Sequence, residues 1–357
     1  MSDYQPADAR YDKPDDWFRK CGRTGLKLPA ISLGCWHNFG GAGTDTKGRD
    51  EPALHENATA MLRTAFDHGC THFDLANNYG PPPGSAEERV GRTLASDFAG
   101  HRDELIISTK AGWGMWDGPY GDLGSRKYLL ASLDQSLERL GLDYVDIYYH
   151  HRPDTDTPLD ETLGALDTAV KSGKALYAAI SSYSGALTAD ALVTCERNGL
   201  TKPILHQPNY NMFDRWIEGD LLPICERMGL GTIVFSPLAQ GLLTNKYLSG
   251  IPDDSRAKQE SGFLQEDGIT AEKVAKVQKL AAIAGDRGQT LAQFALAWVL
   301  REQGVRTVGP WTREPTRVTS ALIGASRPEQ VADCCKCLDA GPISTEDAER
   351  VEKVLAS

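Results

Sequence analysis

Residues 144–180 read YVDIYYHHRPDTDTPLDETLGALDTAVKSGKALYAAI, and the fold is decided by the pattern in this stretch. It begins with Tyr144–Tyr149, a short run of aromatic and β-branched residues that is typical of a buried strand. Apolar residues at helical spacing follow over Leu159–Lys171, and a second strand pattern covers Leu176–Ile180. A strand, a helix and a further strand with short connections form a β–α–β unit, which predicts a parallel sheet.

The same unit recurs along most of the chain. Eight strand patterns occur, at Ala30–Gly34, Thr71–Asp74, Leu105–Ser108, Tyr144–Tyr149, Leu176–Ile180, Ile204–His206, Thr232–Phe235 and Ser320–Ile323. Amphipathic helix patterns alternate with these strands or follow them, at Glu56–His68, Ser85–Ala95, Arg126–Leu140, Leu159–Lys171, Ala186–Arg197, Trp216–Met228, Thr290–Arg301, Pro328–Leu338 and Thr345–Ala356. Eight β–α units predict an α/β fold of the (β/α)8 TIM-barrel type, with long loops at its C-terminal face.

The alternative fold is an open, doubly wound parallel sheet. That fold would carry a Gly-x-Gly-x-x-Gly turn directly after its first strand, where the turn holds a dinucleotide phosphate. Gly34 instead leads into Cys-Trp-His-Asn-Phe-Gly-Gly, which lacks this spacing. The sequence therefore favours the barrel.

We expect residues 1–357 to form a single barrel domain with three additions. Residues 1–21 are an N-terminal extension. Residues 237–270 form a long loop after the seventh strand, and a loop of that length is often a lid over a site. Residues 302–319 are an insertion before the eighth strand, at the end of the barrel away from the strand C-termini. This insertion is either a subunit contact in a homo-oligomer or an exposed loop, and it is predicted to be remote from catalysis.

Composition limits the classes of protein that this chain can belong to. Hydrophobic residues make up 41%, which is enough for a large core and excludes global disorder. The net charge of −11 argues against nucleic acid or an anionic membrane as the main partner. Residues 1–20 have no apolar leader, and the longest apolar helical run, Leu291–Leu300, covers about half of a membrane span. A cytoplasmic protein is the expectation.

Cysteine spacing gives no sign of a disulfide framework or a metal site. The eight cysteines are scattered, which is typical of free thiols in a reducing compartment. Cys334, Cys335 and Cys337 lie close together, but their spacing is not that of a zinc site. No metal is predicted.

Polar residues occur where the predicted strands end, and barrel enzymes carry their chemistry at that face. Asp74 ends the second strand, Tyr79 follows five residues later, and Lys110 ends the third. His150 and His151 end the fourth, and strand alternation points one of them into the mouth and the other towards the helices. A Lys ammonium lowers the pKa of a nearby Tyr, an Asp holds the Lys, and a His orients a carbonyl. Together they form a proton-donating set.

These residues resemble the catalytic set of the aldo-keto reductases, and the similarity runs from about Gly22 to Leu338. The family's Asp, Tyr, Lys and His fall on Asp74, Tyr79, Lys110 and His151. The family's Asp-Leu-Tyr-x-x-His pattern is matched by Asp-Ile-Tyr-Tyr-His-His at residues 146–151, which selects His151 over His150. Residues 172–177, Ser-Gly-Lys-Ala-Leu-Tyr, resemble the family's Gly-Lys stretch before its fifth strand.

Four stretches are similar to one branch of the family, the bacterial L-glyceraldehyde 3-phosphate reductase group. They are residues 79–87 (YGPPPGSAE), 124–128 (GSRKY), 237–243 (PLAQGLL) and 323–327 (IGASR). That branch is in turn similar to the β subunits of voltage-gated potassium channels. The resemblance implies NADPH as the cofactor, held in an extended form across the barrel mouth.

The resemblance also implies which residues bind the cofactor. The nicotinamide and its ribose would contact Trp36, Asp74, Ser181, Ser182, Gln207 and Phe235. The pyrophosphate would lie along Ser236, Leu238, Gln240 and Lys246. The adenosine end, with its 2′-phosphate, would meet Arg256, Gly324, Ser326, Arg327 and Gln330. Arginine and the backbone amides at a helix start are suitable phosphate ligands, and residues 324–328 precede a predicted helix.

The substrate pocket is predicted to contain Trp36, Trp113, Trp116 and Arg152, because aromatic residues at a barrel mouth can form its walls. The leading prediction is an NADPH-dependent reductase of small aldehydes and ketones, such as L-glyceraldehyde 3-phosphate or methylglyoxal. The alternative is a regulatory subunit that binds NADPH and turns over slowly. A barrel without catalysis would require the polar strand ends to have converged by accident.

Overall fold

A closed barrel of eight parallel strands forms the centre of the computed structural model, which describes residues 3–41, 50–247, 269–303, 305–307, 313–315 and 317–357. The barrel strands are β3 (Ile31–Gly34), β4 (His72–Asp74), β5 (Ile106–Ala111), β6 (Val145–His150), β7 (Ala175–Ser181), β8 (Leu205–Gln207), β9 (Gly231–Val234) and β12 (Ser320–Ile323). They pair in chain order, and β12 closes the ring against β3. The predicted (β/α)8 barrel is therefore confirmed, and the doubly wound sheet is excluded.

Ten helices accompany the strands in the described part of the chain. They are α1 (Glu51–Asp67), α2 (Ser85–Asp97), α3 (Arg126–Leu140), α4 (Leu159–Lys171), α5 (Gly185–Asn198), α6 (Leu221–Met228), α7 (Ala271–Asp286), α8 (Leu291–Val299), α9 (Pro328–Cys334) and α10 (Thr345–Ala356). Their apolar faces and the outward faces of the strands form the larger of two cores. None of these helices is both long and apolar enough to cross a membrane.

A short antiparallel hairpin covers the N-terminal end of the barrel. It consists of β1 (Phe18–Lys20) and β2 (Lys27–Pro29). Cys21 and Leu28 pack with the apolar residues inside the barrel, in the smaller core. Gly22 has a φ of 57° and would bring a Cβ to 2.1 Å from the Gly229 carbonyl oxygen, so only glycine fits there. Because this end is plugged, the opposite end is the open mouth.

The predicted helices are confirmed with four corrections, the first being that α1 begins at Glu51 and not at Glu56. The pattern over Trp216–Met228 is a 3-10 turn (Trp216–Glu218) followed by α6, because Pro223 lacks an N–H and is tolerated only in a first helical turn. The helix expected over Pro328–Leu338 ends at Cys334, and the chain continues in turns. Helix α7 is not predicted from the sequence, although Thr270 caps it and its apolar residues have helical spacing.

The insertion at 302–319 contains a second antiparallel hairpin, β10 (Val305–Thr307) with β11 (Arg313–Pro315). It lies between the end of α8 and the start of β12. Arg19, on β1 of the N-terminal hairpin, donates to the carbonyl oxygens of Leu300, just before the insertion, and Val318, near its end. The two ends of the insertion therefore lie at the plugged end of the barrel.

Candidate active site

A buried ion pair occupies the barrel mouth. Asp74 ends β4, Lys110 lies on β5, and neither side chain is exposed. The Lys110 Nζ donates to Asp74 Oδ2 and, at 2.7 Å, to the Leu75 carbonyl oxygen. Asp74 Oδ1 accepts from the Ser108 hydroxyl at 2.6 Å and from the Gln207 side-chain amide at 3.3 Å. The pairing of Asp74 with Lys110 expected from the sequence is present.

Tyr79 lies beside this ion pair, on the loop that follows β4. Its backbone N–H donates to the Ala76 carbonyl oxygen at 3.0 Å, and its own carbonyl accepts from Gly84 at 3.1 Å. The Lys110 Nζ is 5.1 Å from the centroid of the Tyr79 ring. Burial raises the pKa of Tyr79, and the Lys110 charge opposes this rise without cancelling it. The lowering effect of Lys110 expected from the sequence is present, but burial outweighs it, and the phenol keeps its proton at neutral pH.

The two histidines at the end of β6 have different surroundings. His150 is fully buried, and its Nδ1 lies 2.7 Å from the hydroxyl of Tyr183, a residue of the larger core. The His151 ring lies 5.8 Å from the Tyr79 ring, and its buried Nδ1 has no hydrogen-bond partner among the described residues. Burial and the Lys110 charge lower the pKa of His151 well below its usual value. His151 is therefore the histidine at the mouth, and its neutral ring carries one N–H.

Two of the three predicted pocket tryptophans are exposed beside these residues. Trp36 is 39% exposed, and its ring lies 5.9 Å from that of Tyr79. Trp113 is 45% exposed and lies 6.4 Å from the His151 ring. Trp116 instead packs against the larger core. It supports the loop after β5, so its placement as a pocket wall is not supported by the geometry.

Arg152 is fixed beside His151 by three contacts. Its Nε donates to the Gly112 carbonyl oxygen at 2.7 Å, and its Nη2 donates to both Asp122 oxygens, at 3.0 and 3.1 Å. The guanidinium carbon lies 3.9 Å from the centroid of the Trp113 ring. Within the part of the chain that the structure describes, Nη1 has no partner. Arg152 thus has one amino group available for an anionic ligand, while Asp122 offsets part of its charge.

Strands β7, β8 and β9 end next to one another, and their ends carry several of the residues predicted to contact the nicotinamide. The Ser181 hydroxyl donates to the Gln207 backbone carbonyl at 2.8 Å. The Gln207 amide also contacts Asp74, which sequence reasoning did not anticipate. Ser182 follows with a φ of 62°. Phe235 comes directly after β9 and is half-buried.

The loop after β9 has an unusual backbone conformation. Ser236, Ala239 and Gln240 have φ values of 54°, 47° and 55°, in the left-handed region that non-glycine residues rarely adopt. With Ser182 they account for four of the five such residues in the described ranges. Strain of this kind concentrates at ligand sites. Leu238 and Lys246, also predicted for the pyrophosphate path, lie in the same loop.

Most of the residues predicted to contact the adenosine end of the cofactor lie directly after β12. Gly324 is exposed, and Ser326 bonds to Gln330 through its backbone N–H at 2.8 Å and its hydroxyl at 3.1 Å. The Arg327 side chain is 67% exposed and has one ion pair, at 3.8 Å, with a neighbouring glutamate. Arg256 lies outside the described residues. The exposed guanidinium is free to turn towards a phosphate.

Three residues at the site were missed in the sequence. Ser108 lies two positions before Lys110, and the two-residue period of a strand puts both on one face. Asn38 and Asn57 donate to the carbonyl oxygens of residues 325 and 326, at 2.6 and 3.1 Å, and hold the loop after β12. Nothing in their local sequence distinguishes these asparagines from ordinary loop and helix residues.

The donor set at the mouth fits a nicotinamide dinucleotide. Serine and glutamine side chains suit a carboxamide, an aromatic residue ends β9, and a strained loop follows it. Three buried polar atoms near the strand ends have no partner in the described structure, namely Asn78 Oδ1, His151 Nδ1 and Asn209 Oδ1. Among the residues described, no group of three His, Cys, Asp or Glu side chains could hold a metal ion.

Comparison with known proteins identifies the class to which this barrel belongs. The model of the aldo/keto reductase family matches residues 30–356, so the chain belongs to that family. It is an oxidoreductase of the kind that reduces carbonyl compounds with a nicotinamide cofactor.

Comparison with individual proteins shows which branch of the family this chain resembles. The chain is 51% identical to the L-glyceraldehyde 3-phosphate reductase of Escherichia coli (strain K12), over 95% of this chain and 92% of that protein. It is 35% identical to a probable voltage-gated potassium channel subunit beta of Oryza sativa, over 95% of this chain and 97% of the relative. A similar protein of Schizosaccharomyces pombe is 34% identical over 95% and 93%. The resemblance to this branch of the family is thus confirmed.

Proposed function

We propose that this protein uses NADPH to reduce small aldehydes and ketones to alcohols, with Tyr79 as the proton donor. The observation that carries the proposal is the buried Asp74–Lys110 pair with Tyr79 and a neutral His151 beside it. A carbonyl oxygen between Tyr79 and His151 would meet a neutral donor on each side. Both donors would stabilise the negative charge that develops on that oxygen.

Each residue of this set has a distinct role in the proposal. Tyr79 holds its proton at neutral pH and gives it to the carbonyl oxygen as the charge develops. The Lys110 ammonium stabilises the resulting phenolate, and Asp74 keeps Lys110 charged and in place. His151 donates its single N–H to the oxygen and sets the orientation of the carbonyl.

Bound NADPH supplies a hydride to the carbonyl carbon. Ser181 and Gln207 would hold the carboxamide, and Phe235 would pack on the nicotinamide ring. The other residues proposed to contact the cofactor are Trp36, Asp74, Ser182, Ser236, Leu238, Gln240, Lys246, Arg256, Gly324, Ser326, Arg327 and Gln330. The strained loop after β9 supports the pyrophosphate part of this path.

The substrate is proposed to be a small aldehyde, with L-glyceraldehyde 3-phosphate first and methylglyoxal second. The relative that shares 51% identity is named for the former. Arg152 supports an anionic substrate, because its anchored guanidinium lies next to His151 and has one amino group to spare. Trp36 and Trp113 would form the walls of the pocket.

NADPH oxidation with a panel of aldehydes tests the proposal. Glyceraldehyde 3-phosphate, glyceraldehyde and methylglyoxal should each be turned over, with the lowest KM for the phosphorylated substrate. Replacing Arg152 by Gln should raise the KM for that substrate by about tenfold and leave the neutral aldehydes nearly unchanged. Turnover of no aldehyde would contradict the proposal.

The second candidate function is a regulatory subunit that binds NADPH. The 35% identity to proteins named as potassium channel β subunits favours it. Such a protein would bind the cofactor tightly and release it slowly, with little turnover. Tight NADPH binding together with no aldehyde reduction would move this function to first place.

We also propose a cytoplasmic location for the enzyme. All eight cysteines are buried and free, which fits a compartment that keeps thiols reduced. The proposal predicts that purification without reductant leaves eight thiols that react with a thiol reagent once the protein is denatured. A disulfide between any two of them would contradict it.

A further inference from the structure

A continuous chain of polar side chains runs through the barrel beneath the ion pair. Ser320 on β12 lies 2.7 Å from Ser32 on β3, and Ser32 lies 2.9 Å from His72 Nδ1 on β4. His72 Nε2 lies 2.9 Å from Ser108 on β5, whose hydroxyl donates to Asp74 Oδ1 at 2.6 Å. All five side chains are fully buried. The mechanism described above uses only the last of them.

The direction of every hydrogen bond in this chain follows from counting protons. Asp74 is ion-paired, so its carboxylate only accepts hydrogen bonds, and Ser108 donates its one hydroxyl proton to it. The Ser108 oxygen must therefore accept from His72 Nε2–H. Burial lowers the pKa of His72 to about 4, so the ring is neutral and its Nδ1 accepts from Ser32. Ser32 has no proton left and accepts from Ser320 at 2.7 Å, a shorter contact than the 3.4 Å between the Ser320 hydroxyl and the Ala30 carbonyl oxygen. Every donor between Ser320 and Asp74 therefore points towards Asp74.

This direction has a consequence for the orientation of Asp74. Ser108 and Gln207 both donate to Oδ1, which leaves Oδ2 for Lys110. Lys110 uses a second proton on the Leu75 carbonyl oxygen, so one N–H is left for Tyr79. A carboxylate free to rotate would move the ammonium and change the support that it gives to the phenolate.

We propose that His72 and Ser108 are positioning residues that act on Tyr79 through Asp74 and Lys110. His72 fixes the direction of the Ser108 hydroxyl, and that hydroxyl fixes the rotamer of the Asp74 carboxylate. The inference rests on the proposed function, because its kinetic consequence requires Tyr79 to be the donor. The hydrogen-bond direction itself does not depend on turnover.

The first test is the tautomer of His72 in the unmodified protein. Nitrogen-15 NMR of the protein labelled at histidine distinguishes Nε2–H from Nδ1–H, and the His72→Gln variant assigns the signal. The structure requires Nε2–H across the neutral pH range. An Nδ1–H tautomer would reverse the chain and overturn the proposal. This result is obtained whether or not the protein reduces aldehydes.

The second test is kinetic. Ser108→Ala removes the donor, and kcat should fall about tenfold while the KM for the aldehyde and the affinity for NADPH stay within about twofold. Ser108→Thr restores a hydroxyl and should recover most of the lost kcat. A residue that only fills the core would change stability without this split between kcat and KM.

Thr93→Val is the matched control, because it removes a buried hydroxyl bonded to Thr59 between helices α1 and α2. It should lower the unfolding temperature and leave kcat unchanged. If Ser108→Ala behaves as this control does, the positioning role is wrong although the proposed reductase activity stands. If the unmodified protein has no turnover, the proposed function fails and the tautomer alone decides the hydrogen-bond direction.

Discussion

At the level of single residues, the site depends on the opposite charges of Asp74 and Lys110, which are both buried away from water. Burial pulls the pKa of Lys110 down, but its interactions with Asp74 and Tyr79 together outweigh that penalty, and the pKa is raised. A buried ion pair of this kind is expensive to break from one side only, since the remaining charge has no partner. Stability and catalysis can therefore be separated by changing one partner or both.

Replacing Lys110 by Met should lower both turnover and stability. The variant leaves the Asp74 charge uncompensated, which costs about 3–5 kcal/mol of unfolding free energy, and it removes the cation that supports the Tyr79 phenolate. Adding Asp74→Asn should restore much of the unfolding free energy but not the turnover. Urea denaturation and steady-state NADPH oxidation measure the two quantities. Recovery of turnover in the double variant would contradict the role given to Lys110.

At the scale of elements, the strands could be predicted because their patterns are short, apolar and separated by turns. The strand ends then located Asp74, Lys110 and His151 at one face, since all parallel strands of a barrel end together. The break before α6 was missed because Pro223 within an apolar helical pattern allows more than one starting point. Helix α7 was also missed, although its apolar residues have helical spacing. Element type was thus easier to predict than element limits.

Contacts between distant loops could not be predicted from local pattern. Arg152 pairs with Asp122 thirty residues earlier in the chain, and Trp116 turns to the core while Trp113 stays exposed. These choices depend on how the loops after β5 and β6 pack on each other. The net pKa of Tyr79 likewise depends on burial that no spacing reveals.

The element that follows β12 should determine cofactor preference. Arg327 is exposed, and among the described residues it forms one weak ion pair, so it can turn to a 2′-phosphate at little cost. We expect NADPH to bind about tenfold more tightly than NADH, and Arg327→Ala to remove most of that difference. Fluorescence titration of both cofactors measures it, with Arg197→Ala as a control on a distant helix. Equal dissociation constants in the unmodified protein would contradict the assignment.

At the scale of the whole molecule, the closed barrel buries several histidines without charge. Burial lowers the pKa of His72 and His150 to about 4 and that of His206 to about 3. The unfolded chain therefore binds protons first as the pH falls below about 6.5. Folding stability must decrease as the pH falls from there towards 4.

The expected change of the unfolding free energy with pH is large enough to measure. Three such histidines together contribute up to about 4 kcal/mol of unfolding free energy per pH unit between pH 6 and pH 4. Replacing His206 by Gln should reduce that slope by about one third, and comparison with the unmodified protein cancels the contribution of the carboxylates. Urea denaturation at half-unit pH steps gives the slope. An unfolding free energy that does not change from pH 6.5 to pH 4.5 would show that these rings are charged or accessible in the folded state.

The role of Tyr79 as the group that gives its proton to the substrate is tested by the Tyr79→Phe variant. Phenylalanine keeps the ring and its packing beside Lys110 and His151 but has no hydroxyl. We expect aldehyde turnover to fall by about 10²–10⁴-fold while the dissociation constant for NADPH stays nearly the same. A Tyr79→Phe protein that reduces glyceraldehyde 3-phosphate at the rate of the unmodified protein would show that Tyr79 is not the proton donor.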